Sequence, residues 1–344
     1  MNAPMNEIRM EPRTTPAVTP WAEAKALVES ATQIIAVTHV NPDGDAIGSL
    51  MGLTHTLRAL GKRVIPAVDG GTPAHLRFIP GSEGVLPALS GETADLVVSL
   101  DASDVRRTGV VGTYVLALGK PIIMVDHHAT NTLFGTVNLL NPVTPATCEV
   151  LVDWFDAAGW TVPLEAATSL LTGIVTDTQA FRISQTTADT LDKAQRLMRL
   201  GASLTAITQQ TVNRRATSAV RLWAQVMPTV KIEDGAIWAV IDRAAKHAAG
   251  YVEEGGAGGL ATFLNEADEA FVTGVFIEKD DGNHIELHFR SQPGYNVAQI
   301  AFALGGGGHI QASGATVEGT LAEVVARVIP MLKTAARDGQ LVIR

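Results

Sequence analysis

QIIAVTHVNPDGDAIGSLMGLTHTLRALG, residues 33–61, decides the reading of this chain. Residues 33–38 are mostly apolar and rich in isoleucine and valine, as a buried strand requires. From about residue 46 to 60 the leucines Leu50, Leu53, Leu57 and Leu60 recur at helical spacing, and Gly61 supplies a stop. A buried strand that feeds an amphipathic helix is the repeating unit of an open, mainly parallel α/β sheet. Between strand and helix runs His39-Val-Asn-Pro-Asp43-Gly-Asp45. Such sheets bind ligands just beyond the carboxyl ends of their strands, so this polar stretch lies where chemistry belongs.

The pattern repeats outward. Further strands are expected at residues 63–68, 95–100 and 121–125, and helices at about 145–158 and 164–175. Residues 186–230 are helical and fairly polar, which suits a connector. The remainder reads as a smaller α/β unit with strands at 236–241, 271–278 and 284–290 and a glycine run at 305–308. The domain expectation is a disordered tail over 1–20, a metal-binding catalytic domain over 21–185, the connector, and a substrate-binding domain over 231–344. The catalytic cleft is expected between the two domains.

Composition narrows the function. The 344 residues suffice for two domains of roughly 150 residues each. A single cysteine, Cys148, excludes an internal disulfide framework and a thiolate zinc site, and reads as a small buried hydrophobe. No apolar run approaches the roughly 18 residues of a membrane span. The first 20 residues lack the apolar stretch of a secretory signal, so a cytoplasmic protein is expected. Net charge is −9, from 35 acidic and 26 basic residues without a basic cluster. That balance argues against a long duplex, whose binders neutralise many phosphates. A small anion held by a few local cations and metals fits.

Three apolar strands end in metal-competent residues: the first in His39, Asp43 and Asp45, the third in Asp101, the fourth in Asp126-His127-His128. Asp177 completes the set at the end of a helix. A bare Asp-Gly-Asp is ordinarily just a polar turn. Five acids and three histidines gathered at one end of a sheet are different, because the acids would repel one another without cations. Oxygen and imidazole donors without sulfur favour Mn²⁺, with Mg²⁺, Co²⁺ or Fe²⁺ as competitors. A pair of such ions is the usual device for hydrolysing phosphate esters. In an extended loop Asp43 and Asp45 would serve one ion each, with Gly44 letting the chain turn between them. Free N–H groups near Gly48 and Ser49 would meet a phosphate.

The segments HVNPDGDAIGS (39–49), SLDASD (99–104), DHHATN (126–131) and GIVTDTQAF (173–181) resemble the four ordered motifs of DHH phosphoesterases. RSQPGYNVAQIA (290–301) and GGGGHIQASGA (305–315) resemble the DHH-associated C-terminal domain, with Ser313 standing where the family often has alanine. The resemblance implies that His39, Asp43 and Asp101 hold one ion. Asp45, Asp101, His127 and Asp177 would hold the other, with Asp101 bridging. It further implies that Asp126 orients His127 and that His128 faces the substrate, giving His128, Asp101 and Asp126 as the catalytic set. Arg107 matches a recurrent arginine after the second motif, or pairs locally with Asp104. Arg290, Ser291, Gly306, Gly307, Gly308 and His309 would bind the nucleotide, arginine because its planar fork suits phosphate.

The chain looks most like the nanoRNase branch of that family, whose members also dephosphorylate adenosine 3′,5′-bisphosphate. Two Mn²⁺ ions are the expected cofactors. Short single-stranded RNA or small phosphorylated nucleotides are the expected partners, with a second copy of the chain in a homodimer. A cyclic- or linear-dinucleotide phosphodiesterase is the alternative on the same scaffold. A silent nucleotide-binding regulator is the alternative of another class, weakened because every ligand position is filled.

Overall fold

The computed structural model describes residues 20–339 except 213 and 253–255. The tail expected over 1–20 therefore lies, apart from Pro20, outside the described residues. The chain divides into two compact units, one ending at Arg214 and the other starting at Arg215.

The first unit holds α1 (Trp21–Ser30), β1 (Gln33–Val37), α2 (Gly44–Ala59), β2 (Arg63–Ala67), β3 (Leu96–Leu100), α3 (Gly109–Ala117), β4 (Ile122–Asp126), β5 (Val137–Leu140), α4 (Thr147–Ala158), α5 (Leu164–Asp177), α6 (Ala188–Arg199) and α7 (Leu204–Gln210). Its sheet is wholly parallel, in the order β2-β1-β3-β4-β5. After Gln33, β1 is apolar and buried throughout because both its faces are covered. Ile34 and Ala36 join one core with α1, α2, α4 and α5, whereas Ile35 and Val37 join a second with Val111 and Val115 of α3. β1 and β3 are neighbours although β2 lies between them in sequence. Their carboxyl ends mark the point where the strand order reverses, the usual ligand site of such sheets.

The four expected strands and the three expected helices, at about 46–60, 145–158 and 164–175, are present within one or two residues at most ends. α1, α3 and the short β5 had no counterpart in the sequence reading. Leu60, expected on the buried face of α2, follows the last helical residue and is 41% exposed.

The start of α2 corrects the reading of the first motif. The helix begins at Gly44 with Asp43 as its N-cap, so Asp43 and Asp45 lie on a helical turn and not in an extended loop. Gly44 serves packing, because a Cβ there would lie 2.3 Å from Thr176 Oγ1. A Cβ at Gly48 would lie 2.6 Å from Ser169 O and 2.9 Å from Gly173 N, so this glycine lets α2 and α5 touch backbone to backbone. The amides of Gly48 and Ser49 are inside the helix, which removes them as phosphate donors.

The stretch read as a connector contains three helices. α6 is tied to α4 by Lys193, which bonds Glu149 and Asp153, and by Arg196 on Asp156. α6 and α7 belong to the first unit, and α8 (Thr217–Val226) opens the second. There follow β6 (Lys231–Glu233), β7 (Ala236–Ile241), α9 (Arg243–Ala249), α10 (Leu260–Leu264), β8 (Val272–Glu278), β9 (His284–Ser291), α11 (Ala298–Ala303), β10 (Gly307–His309), β11 (Ala312–Glu318) and α12 (Leu321–Asp338). The sheet runs β10-β11-β9-β8-β7-β6, and only β7 and β8 are parallel. Ile237 and Ala239 face α8 and α10, while Ala236 and Trp238 face the core that α12 closes. No helix among the described residues is long and apolar enough to cross a membrane.

Candidate metal centre

The ends of β1, β3 and β4 and the last turn of α5 bring the expected residues together. His39 follows β1 by two residues, and its Nδ1 lies 2.8 Å from Val40 O. Val40 N is itself held by Arg107 O at 2.7 Å. With Nδ1–H donating to that carbonyl, Nε2 keeps the lone pair a metal needs. Asp43 Oδ1 accepts from Asp45 N and Ala46 N at 3.0 Å each. Asp45 is buried, and its oxygens accept from Thr147 N at 2.6 Å and Cys148 N at 3.1 Å. It thereby caps α4, whose own N-cap residue is Ala146.

Asp101 directly follows β3 with φ of +55°, a left-handed conformation that costs a non-glycine residue roughly 1–3 kcal/mol. Its N–H donates to Val125 O at 2.9 Å, continuing the parallel ladder past the strand end. Asp101 Oδ2 lies 3.6 Å from His39 Nε2, and Oδ1 lies 3.7 Å from His127 Nε2. His127 Nε2 is also 3.3 Å from Asp177 Oδ2.

Ligand atoms of His39, Asp43 and Asp101 lie within 4.8 Å of one another, as do those of Asp45, His127 and Asp177. These residues fit divalent cations. The donors are oxygen and imidazole, and the carboxyls cannot all ionise where they stand. Burial, and then the charge of Asp101, push the Asp45 carboxyl well above the ordinary range. Burial and the charges of Asp45, Asp43 and Asp101 do the same to Asp177. Burial disfavours a charged His39, yet Asp101 and Asp43 outweigh it and raise the imidazole to about 9. Burial works against the Asp101 anion too, but His39 and His127 more than offset it and its pKa falls. A cation supplies the charge that protons otherwise bring.

The role expected of Asp126 needs correction. Its Oδ1 faces His128 Nδ1 at 2.8 Å and accepts from His127 N at 2.7 Å. It therefore orients the ring of His128 and the backbone of His127, whose own Nδ1 faces Thr144 O at 3.3 Å. Asn131 Nδ2 holds the other oxygen of Asp126 at 2.5 Å. The Asp104 carboxylate binds Arg106 at 2.9 Å, and Arg107 meets Asp104 through its backbone N–H, which donates to Asp104 O at 3.0 Å. The exposed Arg107 carries its charge close enough to His128 to oppose protonation there.

In the second unit, Arg290 sits near the end of β9 with Nη1 donating to Phe289 O at 2.8 Å. Its Nε is buried without a hydrogen-bond partner among the described residues. Burial lowers its pKa, as expected of a guanidinium that lacks a carboxylate. Ser291 is buried and its hydroxyl donates to Tyr295 O at 2.9 Å, closing the turn after β9 in place of facing a ligand. The glycine run is partly a strand: Gly307 and Gly308 pair with Gly314 and Ser313, and His309 is exposed at its end. A Cβ at Gly306 would lie 2.1 Å from Gly314 O, so that glycine permits close approach to β11. Ser313, the departure from alanine, donates to Val297 O at 2.9 Å.

Thr147 and Gly173 escaped the sequence reading as site residues. Thr147 Oγ1 donates to Asp101 Oδ1 at 2.9 Å, and a Cβ at Gly173 would lie 2.5 Å from Asp45 Oδ1. Gly173 opens the GIVTDTQAF segment, but nothing local to either residue marks a partner so far away in sequence.

The model of the DHH family, N-terminal domain, matches residues 33–174, and that of the DHHA1 domain matches 233–337. The chain is 36% identical over 310 residues to a Thermus thermophilus protein named bifunctional oligoribonuclease and PAP phosphatase NrnA, covering 90% of this chain and 91% of that one. A Mycoplasma pneumoniae protein of the same name is 29% identical over 308 residues, 86% of this chain and 91% of that one. Among solved structures, an exopolyphosphatase-related protein from Bacteroides fragilis superposes with a TM-score of 0.84. It covers 92% of this chain and 97% of its own at 24% identity, a likeness of fold alone.

Proposed function

The chain belongs to the DHH family, and from that premise we propose that it hydrolyses phosphate esters: short oligoribonucleotides to mononucleotides, and adenosine 3′,5′-bisphosphate to AMP. One observation carries the reading: Asp101 presents a separate oxygen to His39 and to His127, an arrangement that lets one carboxylate serve two cations. His39, Asp43 and Asp101 would hold one Mn²⁺, and Asp45, Asp101, His127 and Asp177 the other. Such a pair supplies Lewis acidity to the attacking water and to the phosphate.

The chain's own residues do the rest. Asp126 fixes His128 through Nδ1, and despite burial the carboxylates of Asp126 and Asp101 raise the His128 pKa. That shift favours the protonated ring, and Nε2 is the ring nitrogen that would deliver a proton to the leaving oxygen. Arg107 would meet a phosphate oxygen. In the second unit Arg290 would bind the nucleotide, since a buried guanidinium without a carboxylate is matched to an anion. His309, Gly307 and Gly308 would border the same ligand.

A parallel turnover screen of di- to pentaribonucleotides, adenosine 3′,5′-bisphosphate, cyclic dinucleotides and pyrophosphate tests the substrate. Chelation should abolish turnover, with Mn²⁺ restoring it better than Zn²⁺. Full activity in excess chelator refutes the metal assignment, and preferential cyclic-dinucleotide turnover refutes the substrate assignment.

A further inference from the structure

We propose that Thr147 is a positioning residue that sets the rotation of the Asp101 carboxylate, so that one oxygen faces each half of the metal centre. The inference rests on the metal-binding reading above. Thr147 is fully buried at the first position of α4. Its hydroxyl donates to Asp101 Oδ1 at 2.9 Å, and its backbone N–H donates to Asp45 Oδ2 at 2.6 Å. One residue therefore holds a carboxylate from each of the two ligand groups.

The stereochemistry gives that hydroxyl its purpose. The last torsion of an aspartate is broad and nearly two-fold, so the side chain by itself does not choose where its oxygens point. Burial removes water as an alternative partner. Donation from Thr147 fixes Oδ1 on the side of His127 and His128, at 3.7 and 3.6 Å from their near nitrogens. Oδ2 is thereby turned toward His39 at 3.6 Å. Without the hydroxyl, Asp101 would be free to rotate its plane and present both oxygens to one side. The N–H bond to Asp45 is a backbone property that any residue but proline keeps. Substitution at Thr147 thus isolates the side-chain effect on Asp101.

The test uses the full chain with Thr147→Val, Thr147→Ala and Thr147→Ser. Mn²⁺ affinity is read from the electron paramagnetic resonance of the free ion, and the metal-free protein is melted in parallel. Val and Ala should weaken Mn²⁺ binding about 10–100-fold, the cost typical of losing a group that orients a ligand, while Ser stays within about threefold of wild type. If the Val variant does not fold, the Ala variant carries the comparison. Wild-type affinity in the Val or Ala variant, whatever its melting temperature, overturns the proposal, as does equal weakening in all three. A wild-type chain that takes up no Mn²⁺ overturns the metal-binding reading itself.

Discussion

His39 Nε2 and Asp101 Oδ2 stand 3.6 Å apart at the ends of adjacent parallel strands, close enough to share a cation and too far to hydrogen-bond well. Asp101→Asn keeps the shape and removes the charge. Losing a partner that merely orients a ligand costs about 10–100-fold, so loss of a carboxylate shared by two ions should lower kcat by more than about 100-fold. Steady-state kinetics with metal content measured on the same sample checks this. A near-normal kcat would show that Asp101 does not bridge.

The metal-free protein should lose stability as pH rises from about 7 to 9. His39 has a folded pKa of about 9 against an ordinary 6.5, so its contribution is complete below 6.5 and disappears as pH climbs through 9. At 1.36 kcal/mol per unit this is on the order of 3 kcal/mol. The raised carboxyls of Asp45 and Asp177 act in the same sense. His127, with a lowered pKa, acts oppositely but below 6.5, and Asp101 loses its contribution only in acid. Urea unfolding in chelator at pH 7, 8 and 9 should show the decline, and saturating Mn²⁺ should flatten it. A pH-independent midpoint in chelator would contradict the argument.

Gly173→Ala should weaken metal retention and lower the melting temperature. The new Cβ would lie 2.3 Å from Cys148 Sγ and 2.5 Å from Asp45 Oδ1, so either α5 or the carboxylate must move. Overpacking of this kind costs about 1–3 kcal/mol. Gly91→Ala, with nothing within 4 Å of its Cβ, is the control and should stay within about 0.5 kcal/mol of wild type. Equal behaviour of the two variants counts against the packing account.

Arg290→Ala should impair nucleotide turnover and leave metal content intact. A desolvated charge pair with phosphate is worth about 2–5 kcal/mol when truncated, which is roughly 30-fold or more in kcat/KM. Lysine should rescue poorly, because it lacks the planar fork. Loss of metal in the Ala variant would move Arg290 out of the proposed binding role.

Turnover should favour substrates of about five nucleotides or fewer. The net charge of −9 disfavours further phosphates, and with two or three contacted the log–log salt slope should be about −2. Comparing kcat/KM for 2-mers, 5-mers and 24-mers at two salt concentrations checks both. Rates rising with length, or a slope near −6, would indicate an exonuclease that tracks long strands.

The strands of the first unit and the identity of its acid and histidine cluster were legible in the sequence, because each depends on local information. A buried parallel strand is a continuous apolar run, and a polar residue at its carboxyl end is at the ligand face whatever the rest of the chain does. β5 was not legible because its four residues, Val137–Leu140, alternate in burial and carry too few apolar side chains to stand out. Who holds whom could not be read at all. Asp126 turned out to orient His128 and not the ring of His127, Ser291 is bonded to Tyr295 O, and Gly44 and Gly173 are glycine because another chain segment approaches. Thr147 reads as an ordinary helix start, and only the tertiary placement of α4 puts its amide on Asp45 of α2 and its hydroxyl on Asp101 at the end of β3. Period and composition report what a residue does for its own element. Hydrogen bonds between side chains distant in sequence depend on where those elements meet, and that is decided only when the core closes.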